Sequence, residues 1–235
     1  MAFHYSPNIV TNNLTFYLDV ANTRSFINTP SGWEDLTGKY EKLTISGATY
    51  VNEVSGVLNF NGLPGSSASS TVVFTQDREM TWDVWFNRTS SNNQFNMVFS
   101  HGGLPYLAFR DSLSLNRFAF SWLASAVSAQ VTLLSPLPGL DNTWYNVVCT
   151  LFQDTVATTS TANMYVNGVL VSTSTTSAGT VNSVAQGGRL KIANYAPIGD
   201  YPFNGKISNL KVYNRILTAT EVLNNYNSQK SRFGL

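Results

Sequence analysis

A single cysteine in 235 residues rules out an internal disulfide, so stability must come from a hydrophobic core and from backbone ladders. Charge is scarce as well. Asp, Glu, Lys and Arg make up 11% of the chain, well below the roughly 25% of an average globular protein. Fourteen basic residues against thirteen acidic ones leave a formal net charge of +1, which removes the electrostatic footprint that nucleic acid or an anionic membrane would need. No apolar run reaches the ~20 residues of a membrane-spanning helix. The opening Met1–Tyr5 lacks the basic and then apolar blocks of a signal peptide. The sequence thus predicts no nucleic-acid partner, no membrane insertion, and synthesis and folding in a cytoplasm. Histidine is limited to His4 and His101, remote from each other in sequence, which leaves little basis for a His-paired metal.

What replaces charge is hydroxyl and amide: Ser, Thr and Asn together are about a third of the chain. The dominant period is two. Runs such as Leu14 to Val20, Met80 to Asn87, Arg117 to Leu123, Trp144 to Phe152 and Lys206 to Tyr213 alternate apolar and polar residues, and Gly, Pro, Asn and Ser separate them. Asn167-Gly168, between Met164-Tyr165-Val166 and Val169-Leu170-Val171, is a hairpin signal, because a type I′ turn needs positive φ at both central residues. Gly65 to Ser70 reads as a loop. One helix is expected near the end. Thr218 and Glu221 form a capping box ahead of Val222, Leu223 and Tyr226 at helical spacing. Many short strands and a single terminal helix predict an all-β, two-sheet antiparallel sandwich of the jelly-roll type. All-β domains of this length are often single, so residues 14–235 are read as one domain preceded by an arm over residues 1–13.

Cys149 occupies an apolar alternate position of the 144–152 strand and reads as a small core hydrophobe, since a nucleophile would need a base beside it. Gly187-Gly188-Arg189 precedes a strand and not a helix, so it is read as a hairpin or bulge without the anion-binding terminus of a phosphate loop.

Several segments in fixed order resemble a known family: Leu14 to Asn22, Trp33 to Gly38, Leu58 to Gly62, Met80 to Phe86, Met164 to Gly168, and Phe203 to Glu221. Together they are similar to the landmarks of the laminin-G-like branch of the concanavalin A-like lectin/glucanase superfamily, over about residues 9–233. Ile9-Val10-Thr11 ahead of the first strand, and Asn225-Tyr226-Asn227 followed by Lys230 to Gly234, resemble the stand-alone domains of tailed-bacteriophage virion proteins. That resemblance implies a non-enzymatic virion structural or accessory protein, a capsid decoration or tail-associated subunit. It would contact other virion proteins and adhere to a host surface glycan, as a homo-oligomer or symmetric array. A carbohydrate-binding receptor-recognition module is the alternative, and a polysaccharide hydrolase a third reading.

The same resemblance directs attention to particular residues. Glucanase relatives carry two Glu flanking an Asp on one strand, whereas Met80 to Asn87 offers only Asp83, so the acid and nucleophile pair is missing. Asp83 beside Trp85 could form a sugar platform, the indole stacking and the carboxylate taking hydroxyls. The competing reading has Asp83 bonding a neighbouring strand and Trp85 packed under a loop, and it weighs more. Tyr195 and Tyr201, with Tyr213, could line a partner or ligand surface, or finish a core. Calcium is the family's common cofactor, so Asp200 with Asn204 is the metal candidate and Asp19 with Asn22 a second. None is required for the fold.

Overall fold

The computed structural model describes residues 8–27, 32–74, 77–90, 95–102, 104–110, 116–123, 130–154, 156–177, 188–195 and 201–235. Of the expected arm, residues 1–7 lie outside that set, as do Gly187 and Asp200. The described elements form two antiparallel sheets with one C-terminal α-helix, the predicted sandwich.

The larger sheet runs β13 (Val169–Ser177), β12 (Thr159–Val166), β11 (Trp144–Asp154), β6 (Glu79–Arg88), β15 (Asn204–Tyr213), β4 (Val57–Asn61), β3 (Ala48–Val51). The first strand, β1 (Leu14–Asp19), also pairs with the last, β15, alongside Asn209 to Tyr213. The two ends of the chain are thereby stitched into one ladder. The smaller sheet runs β10 (Gln130–Pro138), β9 (Arg117–Leu123), β8 (Tyr106–Arg110), β7 (Phe95–His101), β14 (Gly188–Ile192), β5 (Ser67–Phe74), β2 (Thr44–Ser46).

Alternation decides which side chains meet between the sheets. Met80, Trp82, Val84 and Phe86 of β6 face inward, against Phe99, Leu107, Phe109, Phe118 and Phe120 of the opposite sheet, all in one continuous core. Cys149 belongs to this core, and burial pushes its thiol pKa well up. Its place is that of a small hydrophobe. Asn167 (φ 51°) and Gly168 (φ 80°) both adopt the left-handed region at the β12–β13 hairpin, as a type I′ turn demands.

Helix α1 (Ala219–Gln229) begins as expected. Thr218 accepts from the Glu221 N–H at 3.3 Å, and the Glu221 carboxylate accepts from the Thr218 N–H at 2.9 Å. A 3-10 turn (Lys230–Phe233) follows and ends at Gly234 with φ 73°. Two expectations need correction. Ser67 to Ser70 belong to β5 and are not a loop, because Ser67 to Ser69 pair with β2 and Ala68 and Ser69 also pair with β14. Tyr213 lines no partner surface; it is buried in a second apolar cluster with Val148, Tyr165, Leu217 and Val222, beneath α1.

Candidate functional site

The outward face of β6 carries Thr81, Asp83, Trp85 and Asn87, and each is buried. Helix α1 and the following 3-10 turn cover it. Trp85 stacks on Phe233 (4.0 Å between centroids, 10° between planes) and on Tyr226 (5.7 Å, 7°). Asp83 accepts from Asn146 Nδ2 at 2.7 Å and from Asn225 Nδ2 at 3.0 Å, and Lys211 Nζ lies 3.4 Å from its Oδ2. Both residues have zero exposure. The sugar-platform reading is therefore corrected: Asp83 and Trp85 hold the C-terminal helix on the sheet and are closed to a ligand.

Carboxylate geometry bears on the hydrolase reading. β6 begins at Glu79, so a second acid does share the outward face with Asp83. Four residues of strand separate them by about 13 Å, beyond the ~5–9.5 Å that acid and nucleophile or base require. Asp83 is also ion-paired with Lys211 inside the fold. The two cannot work as a hydrolytic pair.

The metal candidates have other partners or lie outside the described residues. Asp200 lies outside the described residues, and Asn204 Nδ2 donates to Ser90 Oγ at 3.0 Å. Asp19 is taken by Arg232 Nη1 at 2.8 Å and by the Tyr17 hydroxyl at 3.0 Å, while Asn22 Oδ1 accepts the Arg24 N–H at 2.9 Å. Among the described residues, no group of three or more His, Cys, Asp or Glu could hold a metal ion. His101 is buried, which lowers its pKa, and its Nε2 lies 3.2 Å from the Phe74 carbonyl. It packs edge-on against Phe74 and Trp82.

Tyr195 and Tyr201 behave differently. They meet on the outer face of the smaller sheet, 5.7 Å apart at 63°. Tyr106, outward on β8 because Leu107 and Phe109 face the core, stands perpendicular to Tyr195 at 6.0 Å. Phe95 of β7 closes the other side against Tyr201 at 5.4 Å. With Met97 and Gln130 these rings line a cleft of about 250 Å³. Its base is a distinct apolar cluster of Met97, Tyr106 and Ala108.

One side chain sets the two tyrosines. Asn194, fully buried, accepts the Tyr195 N–H at 2.8 Å and the Tyr201 N–H at 3.2 Å on the same Oδ1. The Met97 N–H donates to the Tyr201 carbonyl at 3.2 Å, tying that segment to β7. Gln130 Nε2 donates to the Tyr106 hydroxyl at 3.0 Å. Burial, and then the neighbouring Tyr106 and Tyr201, raise the Tyr195 pKa, so its hydroxyl stays protonated and can donate. The cleft thus offers aromatic faces, phenol edges and one amide. No charged side chain stands among its described lining residues. Such a surface suits a ligand with apolar faces and hydroxyl edges.

The sequence singles out Tyr195 and Tyr201, but not Tyr106, Phe95 or Gln130. The outward register of Tyr106, beside small Ala108, is the one signal that could have found it.

The sequence model of the concanavalin A-like lectin/glucanases superfamily matches residues 61–223. No curated protein sequence matches the chain. Solved structures share the fold at low identity. The receptor-binding domain of botulinum neurotoxin type G superimposes with a TM-score of 0.65 at 15% identity, covering 92% of this chain and 51% of that one. The binding domain of Paraclostridial Mosquitocidal Protein 1 gives 0.66 at 14%, covering 92% and 52%. Trypanosoma rangeli sialidase gives 0.67 at 16%, covering 95% and 34%. The chain therefore spans about half the length of the two binding domains and about a third of the sialidase.

Proposed function

The chain belongs to the concanavalin A-like lectin/glucanases superfamily, and from that premise we propose that it works by binding and not by catalysis, as a virion accessory protein that adheres to glycan. The observation that carries this reading is the cleft of Tyr106, Tyr195, Tyr201 and Phe95. Pyranose rings have an apolar face for stacking and a hydroxyl rim for phenol and amide contacts, which is the chemistry this surface presents.

The virion setting is supported by the resemblance of the Ile9 to Thr11 and Asn225 to Gly234 segments to tailed-bacteriophage proteins. In the fold these segments meet. The Val10 N–H donates to Asn225 Oδ1 at 2.8 Å, and the Tyr213 hydroxyl donates to the Val10 carbonyl at 3.0 Å. In this reading the chain acts beside other virion proteins, in a homo-oligomer or symmetric array. Calcium has no role in this reading.

The test is a glycan array probed with purified chain. Saturable binding is expected, lost in Tyr195→Ala and Tyr201→Ala while the melting temperature holds. If the chain binds no glycan yet still assembles onto particles in a manner that needs residues 1–13, adhesion is wrong and a purely structural subunit stands.

A further inference from the structure

The outer face of the larger sheet carries a groove that the tyrosine cleft does not touch. It measures about 360 Å³ and is lined by Glu79, Thr150, Phe152, Thr161, Asn163 and Ile216. That volume falls within the roughly 300–1,000 Å³ of small-molecule sites. We propose that this groove is a second saccharide site, selective for a neutral or amino pyranose held between Phe152 and Ile216.

Strand register builds its floor. Glu79, Phe152, Thr161 and Thr175 stand opposite one another across β6, β11, β12 and β13, and Thr81, Thr150, Asn163 and Thr173 form the adjacent row. Asn163 is fixed on both sides: Oδ1 accepts from Thr173 Oγ1 at 2.8 Å, and Nδ2 donates to Thr150 Oγ1 at 3.2 Å. This leaves the second amide hydrogen of Asn163 as a donor without a partner among the described residues, while Thr150, 1% exposed, serves to orient that amide. Ile216 is held over the sheet by Thr81, whose Oγ1 donates to the Arg215 carbonyl at 2.8 Å and accepts the Leu217 N–H at 3.1 Å. Phe152 keeps 37% of its surface exposed.

The demand on a ligand follows from these parts. It needs an apolar ring face for Phe152 and Ile216, an acceptor oxygen for Asn163, and hydroxyl donors for Glu79. Glu79 is exposed and makes no ion pair among the described residues, so its carboxylate accepts from sugar hydroxyls and repels an anionic sugar. A pyranose without a carboxylate meets all of these conditions. Apart from Ile216, the groups stand on adjacent strands of one sheet, which lowers the ordering cost of binding. This inference is independent of the tyrosine cleft.

The test uses the full chain, labelled for NMR at backbone amides and isoleucine methyls, titrated with lactose, cellobiose, N,N′-diacetylchitobiose and 3′-sialyllactose. At least one neutral disaccharide is expected to shift the Ile216 methyl and the Phe152 and Asn163 amides in a saturable way. Glu79→Gln and Phe152→Ala should each weaken that binding about tenfold, and Tyr195→Ala should leave it unchanged. Sialyllactose should bind more weakly than lactose, with the gap closing in Glu79→Gln. The proposal is overturned if no neutral disaccharide moves Ile216, or if the shifts persist undiminished in Glu79→Gln. The second variant does not depend on Phe152→Ala folding.

Discussion

Lys211 Nζ lies 3.4 Å from Asp83 Oδ2, directly across the β6–β15 ladder, with both side chains wholly excluded from solvent. The ammonium also donates to Asn209 Oδ1 at 3.0 Å and to Gln229 Oε1 at 2.9 Å, the latter from α1. Burial drives the Lys211 pKa down while Asp83 opposes the shift, and the net direction is down. A pair of this kind does more to fix where the helix sits than to add net stability. Removing one partner strands the other charge. Asp83→Ala should therefore cost about 3–5 kcal/mol, read as a fall in the urea midpoint. Asp83→Leu combined with Lys211→Met should recover more than half of that loss. A single-variant cost below about 1 kcal/mol would contradict the buried-pair account.

Trp85 supplies a second structural prediction. Because its indole is stacked between Phe233 and Tyr226, Trp85→Ala should destabilise the fold by about 3–5 kcal/mol. Phe233→Ala should do the same to a smaller degree. Wherever the variants remain folded, glycan binding at the tyrosine cleft should be unaltered, since the two sites lie on opposite sheets. Loss of binding in a folded Trp85→Ala protein would return Trp85 to the ligand site.

These two residues mark where the sequence stops being legible. Alternation along Met80 to Asn87 separates the two faces of β6 correctly, yet it cannot say that the polar face is also covered. A helix far along the chain covers it. A signal lies in composition: Trp85, Tyr165 and Tyr213 are bulky aromatics on a face that also carries Thr81, Asp83, Asn87 and Lys211. The short strands β2 and β3 escape for a different reason. They are half-exposed edge pieces interrupted at Gly47 (φ 63°), without the apolar contrast that marks a buried strand. The capping box and the Asn167-Gly168 hairpin were readable because their physics is local. The tyrosine cleft was only half readable, since Tyr106 lies 89 residues before Tyr195 in sequence and they meet through the sheet.

Acid should loosen the start of α1. The Arg215 guanidinium, at 2.6 Å, is the main reason the Glu221 carboxyl is held down at about 2 from its ordinary 4.5, with Thr218 bonds adding to it. A depressed folded pKa contributes stability that is present above the unfolded value and is lost as pH falls from about 4.5 toward about 2. Glu221→Gln should lower stability by about 1 kcal/mol at neutral pH and flatten the acid limb of a stability–pH profile over that window. An unchanged acid limb would show that the capping box contributes nothing there.

Gly205, second in β15, has φ 153°, and a Cβ built there would lie 2.3 Å from the Asn87 carbonyl oxygen and 2.8 Å from Arg88 Cα. Both are backbone atoms of the neighbouring β6, which cannot step aside without breaking the ladder. Strain and overpacking together predict a loss of about 3 kcal/mol or more for Gly205→Ala. Thermal unfolding measures it. A near-neutral variant would mean that the β6–β15 pairing is looser than the register implies.

Asn194 connects packing to function. Its Oδ1 is the shared acceptor for the Tyr195 and Tyr201 backbone N–H groups, while its Nδ2 is buried without a partner among the described residues. Asn194→Ala leaves two donors unsatisfied and lets the tyrosines drift apart. The expected result is a stability loss of about 1–3 kcal/mol and roughly tenfold weaker glycan binding. Asn194→Asp keeps the acceptor and removes the orphaned donor, so it should restore binding even if burying a carboxylate lowers the melting temperature. That separation distinguishes positioning of the cleft from simple support of the fold. Should Asn194→Asp bind as poorly as Asn194→Ala, the shared acceptor is not what sets the cleft.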